Sequence, residues 1–273
     1  MPVSNAPSPA GLLPVRHRLG LLAAASLVAA LLAAILSIAG LLFQEAVYPT
    51  EELRQSFVAN DVVNLLFGLP ILLVSMALAR RGKLIGLLFW PGALLFVVYN
   101  AIAYVFALPA GWPFLLYLLL LALAVYTLIG LVASIDLDAV QARLAGKAPE
   151  RLAGGVLMGL GVLFLLRGIG VIAAATEPLP RTELAVLVAD FLTIPAWILG
   201  GALLWRRQAL GYVAGVGLLF QASMLFVGVI VVLLLQPVLT GAPLAAPDIA
   251  VLFAMGMICF VPFVLMARAV IRS

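Results

Sequence analysis

Residues able to do chemistry are few in this chain, and several sit where water should be scarce. The stretch VLFLLRGIGVIAA (162–174) carries Arg167 among aliphatic neighbours. A guanidinium in hydrocarbon needs an anion or a wet cavity, and Asp190, in the next apolar run, can supply the anion. At about 1.5 Å of rise per helical residue, Arg167 stands roughly 24 Å above Arg151 and Asp190 roughly 24 Å above Arg206. The two side chains therefore share a depth on consecutive antiparallel helices and are expected to pair. The same count puts Asn64 roughly 24 Å above Arg80 and Asn100 roughly 25 Å above Lys83, with Asp61 one turn further out and Gln221 slightly deeper. Asp61 and Asn64, three apart, share a helical face, and Tyr99 and Tyr104 add hydroxyls from the neighbouring helix.

Such a polar layer, near the outer boundary of a core about 30 Å thick, admits three chemistries. It can hold helices together, each contact giving about 1 kcal/mol or less. It can form an outward-facing pocket in which Asp61 takes a cation or proton while Arg167 and Asp190 gate or orient a solute. It can also be a membrane-embedded enzyme site acting on a lipid or isoprenoid, with Asp61 and Asp190 as acid and base. Binding or transport of a small solute or lipophile is the working expectation. An accessory subunit of a membrane complex is the alternative, because the outer connections are short and no soluble domain is evident.

Other chemistry is excluded by what is missing. The lone histidine, His17, lies between Arg16 and Arg18 ahead of the first apolar run, so histidine-ligated metal or haem within the membrane has no ligand, and no cofactor is expected. Both lysines, Lys83 and Lys147, fall in connections, which removes a mid-membrane Schiff base. The single cysteine, Cys259, reads as a buried thiol and cannot form a disulfide within one chain. Ser26, Ser37, Ser75 and Ser223 have no histidine to activate them and read as packing residues. RGKLIG and GGVLMGLG lack the strand-to-helix setting and the lysine-serine ending of a phosphate loop.

The elements that must position these residues are apolar helices. A mean hydropathy of +1.28 with only 10% charged residues lies far outside the soluble range, and spans of about twenty residues are needed to cross the hydrocarbon. Eight are expected, at 19–43, 58–79, 84–108, 112–134, 152–175, 184–205, 209–236 and 248–267. The fold class is thus an all-α polytopic transmembrane bundle. Residues 1–15 read as a disordered cytoplasmic tail, 16–134 as a first four-helix half, 135–151 as an amphipathic connector at the headgroups, and 152–273 as a second half. Basic residues are single or paired between apolar runs, so nucleic acid is not an expected partner; membrane lipids, a small-molecule ligand or other membrane subunits are.

Cations set the orientation, since Lys and Arg are retained on the cytoplasmic side. With the N-terminus inside, every cation except Arg54, Arg167 and Arg181 faces the cytoplasm, while Glu45, Glu51, Glu52, Glu177, Glu183 and Asp248 lie at the outer ends. The protein is expected in the cell's inner (cytoplasmic) membrane, with both termini on the cytoplasmic side. Tyr48, Trp112, Trp197, Trp205 and Tyr212 lie toward helix ends and read as interfacial anchors.

The two halves resemble each other. GLPILLVSMALARRGKLIG (68–86) and TIPAWILGGALLWRRQALG (193–211) share a proline, paired arginines and a glycine, with Pro70, Arg81 and Gly86 answering Pro195, Arg206 and Gly211. An even number of spans per half makes these parallel repeats. Prolines at 70, 91, 195 and 262 are expected to disturb their helices, and the glycine pairs of GVLMG (155–159) and GYVAG (211–215) to allow close approach. Finally, FGLPILLVSMALARRGKLIGLLFWPGALLFVVYNAIAYVF (67–106), with its arginine turn, Trp90–Gly92 element and the Tyr99, Asn100, Tyr104 set, resembles a family of bacterial polytopic integral membrane proteins with no assigned activity. That resemblance implies the architecture and carries no catalytic residue.

Overall fold

Backbone polar groups in hydrocarbon must be satisfied within their own segment, and the apolar runs of this chain duly close as helices. The computed structural model describes residues 13–16, 19–241 and 243–273. Among them, eight helices are long and apolar enough to cross a membrane. The first is α1 (Gly20–Leu42), followed by a single turn, α2 (Gln44–Val47). The second span is composite: α3 (Glu51–Val63), a π-helical turn (Asn64–Gly68) and α4 (Leu69–Arg80). Then come α5 (Leu84–Ala107), α6 (Trp112–Ser134), the short α7 (Leu137–Leu144), α8 (Glu150–Ala174), α9 (Arg181–Trp205), α10 (Ala209–Thr240) and α11 (Ala246–Ile271). The all-α polytopic expectation holds; the second span begins at Glu51 where 58 was expected, the last two run on to Thr240 and Ile271, and the first and third end one residue early.

Two side-chain caps mark helix starts: Thr50 accepts from Leu53 N at 3.3 Å and Asp136 from Ala139 N at 3.2 Å. The π turn has a local cause. Pro70 has no N–H to give the carbonyl four residues back, and the Leu69 N–H bonds Asn64 O, five residues back. The remaining prolines sit in continuous helices, Pro91 in α5, Pro195 in α9, Pro237 in α10 and Pro262 in α11.

The core lies along α5 and α10, which pack on each other and on the second span of the opposite half, α5 on α9 and α10 on α3. They cross where Gly92 meets Gly217, each leaving room for the other's backbone. The other spans turn large apolar side chains outward, as at Leu21, Leu115, Leu199 and Phe253, as a lipid-facing surface requires. One end of the bundle gathers Arg80, Arg81, Arg206 and Arg207; the opposite end carries Glu51, Glu52 and Glu183.

At the arginine-rich end the connector is tucked beneath the helices. Val140 and Leu144 are fully buried, and Gln141 Nε2 donates to Arg207 O at 2.7 Å. Glu150 accepts from Tyr212 at 3.0 Å and lies 3.8 Å from Arg207. The expected headgroup-lying helix is therefore held from within, by its apolar face against α10. Of the tail expected to be disordered, residues 1–12 lie outside the described residues, as does His17, while 13–16 are anchored: Arg16 N bonds Ser134 O and Asp136 N bonds Pro14 O, both at 2.8 Å.

The arginine turn is the same in both halves. Arg81 N, Gly82 N and Lys83 N bond the carbonyls of Ala77, Ala79 and Leu78, while Arg206 N, Arg207 N and Gln208 N bond those of Ala202, Leu204 and Leu203. The residue that must turn left-handed is Gly82 in one copy (φ 76°) and Arg207 in the other (φ 56°). A Cβ on Gly86 would strike the turn at residues 78–79, and one on Gly211 the turn at 203–204.

Candidate functional site

The chemistry gathers in two groups, one on each of two sides of α5. The first is centred on Asp61, which sits on α3 one turn before the π turn and is fully buried. The one-turn α2 and the chain after it fold back so that Tyr48 covers it, and the Tyr48 hydroxyl donates to Asp61 Oδ2 at 2.5 Å. From α5, the Tyr104 hydroxyl donates to Asp61 Oδ1 at 2.7 Å. Ser37 of α1 adds a third hydroxyl beside the same carboxyl. Gly40, one turn along α1, makes this approach possible, because a side chain there would occupy the space of the Asp61 carboxylate and the Tyr48 hydroxyl. Burial lifts the Tyr48 phenol well above its ordinary range, so it remains a donor.

A ring of amides and aromatics surrounds the acid. Asn60 Nδ2 donates to Asn100 Oδ1 at 3.0 Å and to the Tyr104 hydroxyl at 3.1 Å, with Asn64 Nδ2 at 3.5 Å from the same hydroxyl. Asn100 in turn donates to Phe96 O at 2.9 Å. The Tyr104 ring lies between Phe57 and Tyr117, with ring centres 4.3 and 4.1 Å away. The Tyr117 hydroxyl is buried beside those of Tyr48 and Tyr104, with no hydrogen bond of good geometry among the described residues. It borders a cavity of about 30 Å³ also lined by Ser37, Asn64, Asn100 and Tyr104. That is room for a water.

The second group holds the predicted ion pair. Arg167 Nη1 and Asp190 Oδ2 are 4.0 Å apart, a contact at the outer limit of pairing. The expected burial is only half met: the Asp190 side chain is 16% exposed, the Arg167 side chain 56%. Position explains this. Arg167 is about two turns from the end of α8, close enough for its long side chain to reach the boundary. The firmer partner of Asp190 is the Tyr99 hydroxyl, which donates to Oδ1 at 2.9 Å and ties α5 to α9. Tyr99 and Tyr104 are five residues apart, about 140° around the helix, so Asp61 and Asp190 are approached from different sides of α5.

The predicted layer is thus divided. Asp61, Asn64, Asn100 and Tyr104 come together; Tyr99, Arg167 and Asp190 form a separate contact. Gln221 joins neither: its Oε1 accepts from Trp197 Nε1 at 2.9 Å, and its Nε2 is buried without a partner. Sequence reasoning missed Tyr48, Asn60, Ser37 and Tyr117. Reading Tyr48, Trp197 and Tyr212 as interfacial anchors is corrected by their burial and by their bonds to Asp61, Gln221 and Glu150, whereas Trp112 and Trp205 are about half exposed, as anchors are. Ser26 is engaged too, accepting from Trp90 Nε1 at 3.0 Å. Among the described residues, no group of three or more His, Cys, Asp or Glu side chains is placed to hold a metal ion. No family model, curated protein or solved structure matches the chain.

Proposed function

We propose that this multi-pass protein lies in the inner (cytoplasmic) membrane and binds or moves a small solute or lipophile through the polar pocket at its acidic end, with Asp61 taking a proton or small cation. The observation that carries this reading is Asp61 itself, a fully buried acid surrounded by hydroxyls and amides with no cation in salt-bridge reach among the described residues. An uncompensated carboxylate at membrane depth is costly, and a bound proton or cation removes that cost. The adjoining π turn supports the same reading, since π turns accompany functional sites. The arginine-rich end is assigned to the cytoplasm by its excess of cations, with both termini there. The matched turns and the Gly92–Gly217 crossing favour two parallel repeats related about the α5–α10 contact.

A second reading, a structural or accessory subunit, is favoured by closure: the cavity beside Asp61 admits a water and no larger solute. Asp61→Asn separates the two. With a pH-sensitive dye sealed inside proteoliposomes, the variant keeps the melting temperature and elution profile of the parent and loses proton entry under an imposed gradient. Unfolding of the variant in detergent supports the structural reading; unchanged flux in a folded variant ends the first.

A further inference from the structure

At the arginine-rich end, on the opposite side of the membrane from Asp61, an open groove of about 640 Å³ runs between residues 13–16, the start of α1 and the end of α4. Its floor is apolar and small, with Ala23, Ala24 and Ala79 keeping it deep and Leu19 and Leu27 forming walls. Two arginines stand at its mouth, Arg16 and Arg80, and both are exposed. The Arg80 side chain makes no hydrogen bond or ion pair with any described residue. Among the described residues the Arg16 side chain reaches only Asp136, at 3.8 Å across a half-exposed contact, and keeps donors to spare.

An apolar trough between spans, bordered at the end of the bundle by two exposed guanidinium groups with donors to spare, is complementary to one molecule abundant at that place. We infer that the groove binds an anionic glycerophospholipid, one acyl chain lying against Ala23, Leu27 and Ala79 and the phosphate held by Arg16 and Arg80. The volume falls in the about 300–1,000 Å³ range of small-molecule sites. Guanidinium matches phosphate geometry better than ammonium does, and basic pockets between transmembrane helices select anionic headgroups. Neither the choice of Asp61 as the proton or cation site nor the orientation of the protein enters this inference.

Native mass spectrometry of the full chain, released from nanodiscs holding equal phosphatidylglycerol and phosphatidylethanolamine of the same acyl chains, tests it. The parent protein retains phosphatidylglycerol in preference, Arg80→Gln and Arg16→Gln each lower that preference about five-fold, and the double variant abolishes it. Ala24→Trp, which fills the groove and keeps both charges, lowers retention of the lipid altogether, while Arg272→Gln at the same end leaves it unchanged. Equal retention of the two lipids by the parent overturns the site, as does Arg272→Gln acting as strongly as Arg80→Gln, which marks a diffuse surface charge. Retention indifferent to Ala24→Trp places the lipid elsewhere.

Discussion

Asp61 and Arg167 are both charges set in apolar surroundings, and they are accommodated by opposite means. Asp61 is enclosed: Tyr48, Tyr104 and Ser37 bring hydroxyls to it and Gly40 makes room. Arg167 is not enclosed, its side chain more than half exposed about two turns from the end of α8. The energies should differ accordingly. Tyr104→Phe removes a donor to the acid and the acceptor of Asn60, leaving buried polar atoms unmatched, and is expected to cost about 1–3 kcal/mol in thermal unfolding followed in detergent. Arg167→Gln breaks only a loose, exposed contact and is expected to change stability by less than about 1 kcal/mol. Asp190→Asn keeps an acceptor for the Tyr99 hydroxyl and should behave similarly. A loss at Arg167 as large as that at Tyr104 would show that the 4.0 Å pair is the tighter one.

At the scale of elements, close approach is decided by particular glycines. Gly40 lies against Asp61 and Tyr48, and Gly92 against the backbone of Gly217; alanine at either is expected to destabilise by about 1–3 kcal/mol through overpacking. Gly159 faces open space, so Gly159→Ala should be neutral or stabilising by up to about 1 kcal/mol. That contrast corrects the reading of GVLMG as a packing pair: the close backbone contact of α8 is made by Gly154 against Gly201. The glycine spacing was legible, but which face meets a neighbour depends on helix rotation, which spacing alone does not determine. Tyr48 was hidden for a related reason. Its place after a span matches an anchor at the boundary, and only the fold-back at α2 turns it inward. Helix lengths, by contrast, followed from apolar runs, and counting residues from the arginine turns brought Asn64 and Asn100 to one level with Asp61 one turn further out. What counting along an axis lacks is the angle around it, which is why Gln221 and Asp190 were expected in the same layer as Asp61 without sharing its site.

For the whole molecule, the first four spans and the last four share an arginine turn and meet at the α5–α10 crossing, yet their contents differ. The first half encloses the acid and its cavity; the second contributes the Trp197–Gln221 bond and the Asp190 contact with Tyr99. The assigned orientation predicts that cysteines introduced at exposed positions in a Cys259→Ala background respond to a membrane-impermeant thiol reagent by side. Glu177→Cys is labelled on intact cells and Lys147→Cys only after lysis; the reverse pattern inverts the protein. The account as a whole turns on whether Asp61 exchanges a proton or cation with its surroundings. Infrared difference spectroscopy of the protein in lipid bilayers, recorded across a pH step and again across a step in sodium concentration, reads that carboxyl directly. The account predicts a carboxyl difference band for the parent protein that is missing in folded Asp61→Asn. Identical difference spectra for the two proteins under both steps would contradict it, leaving Asp61 as an internal fastening of the helices.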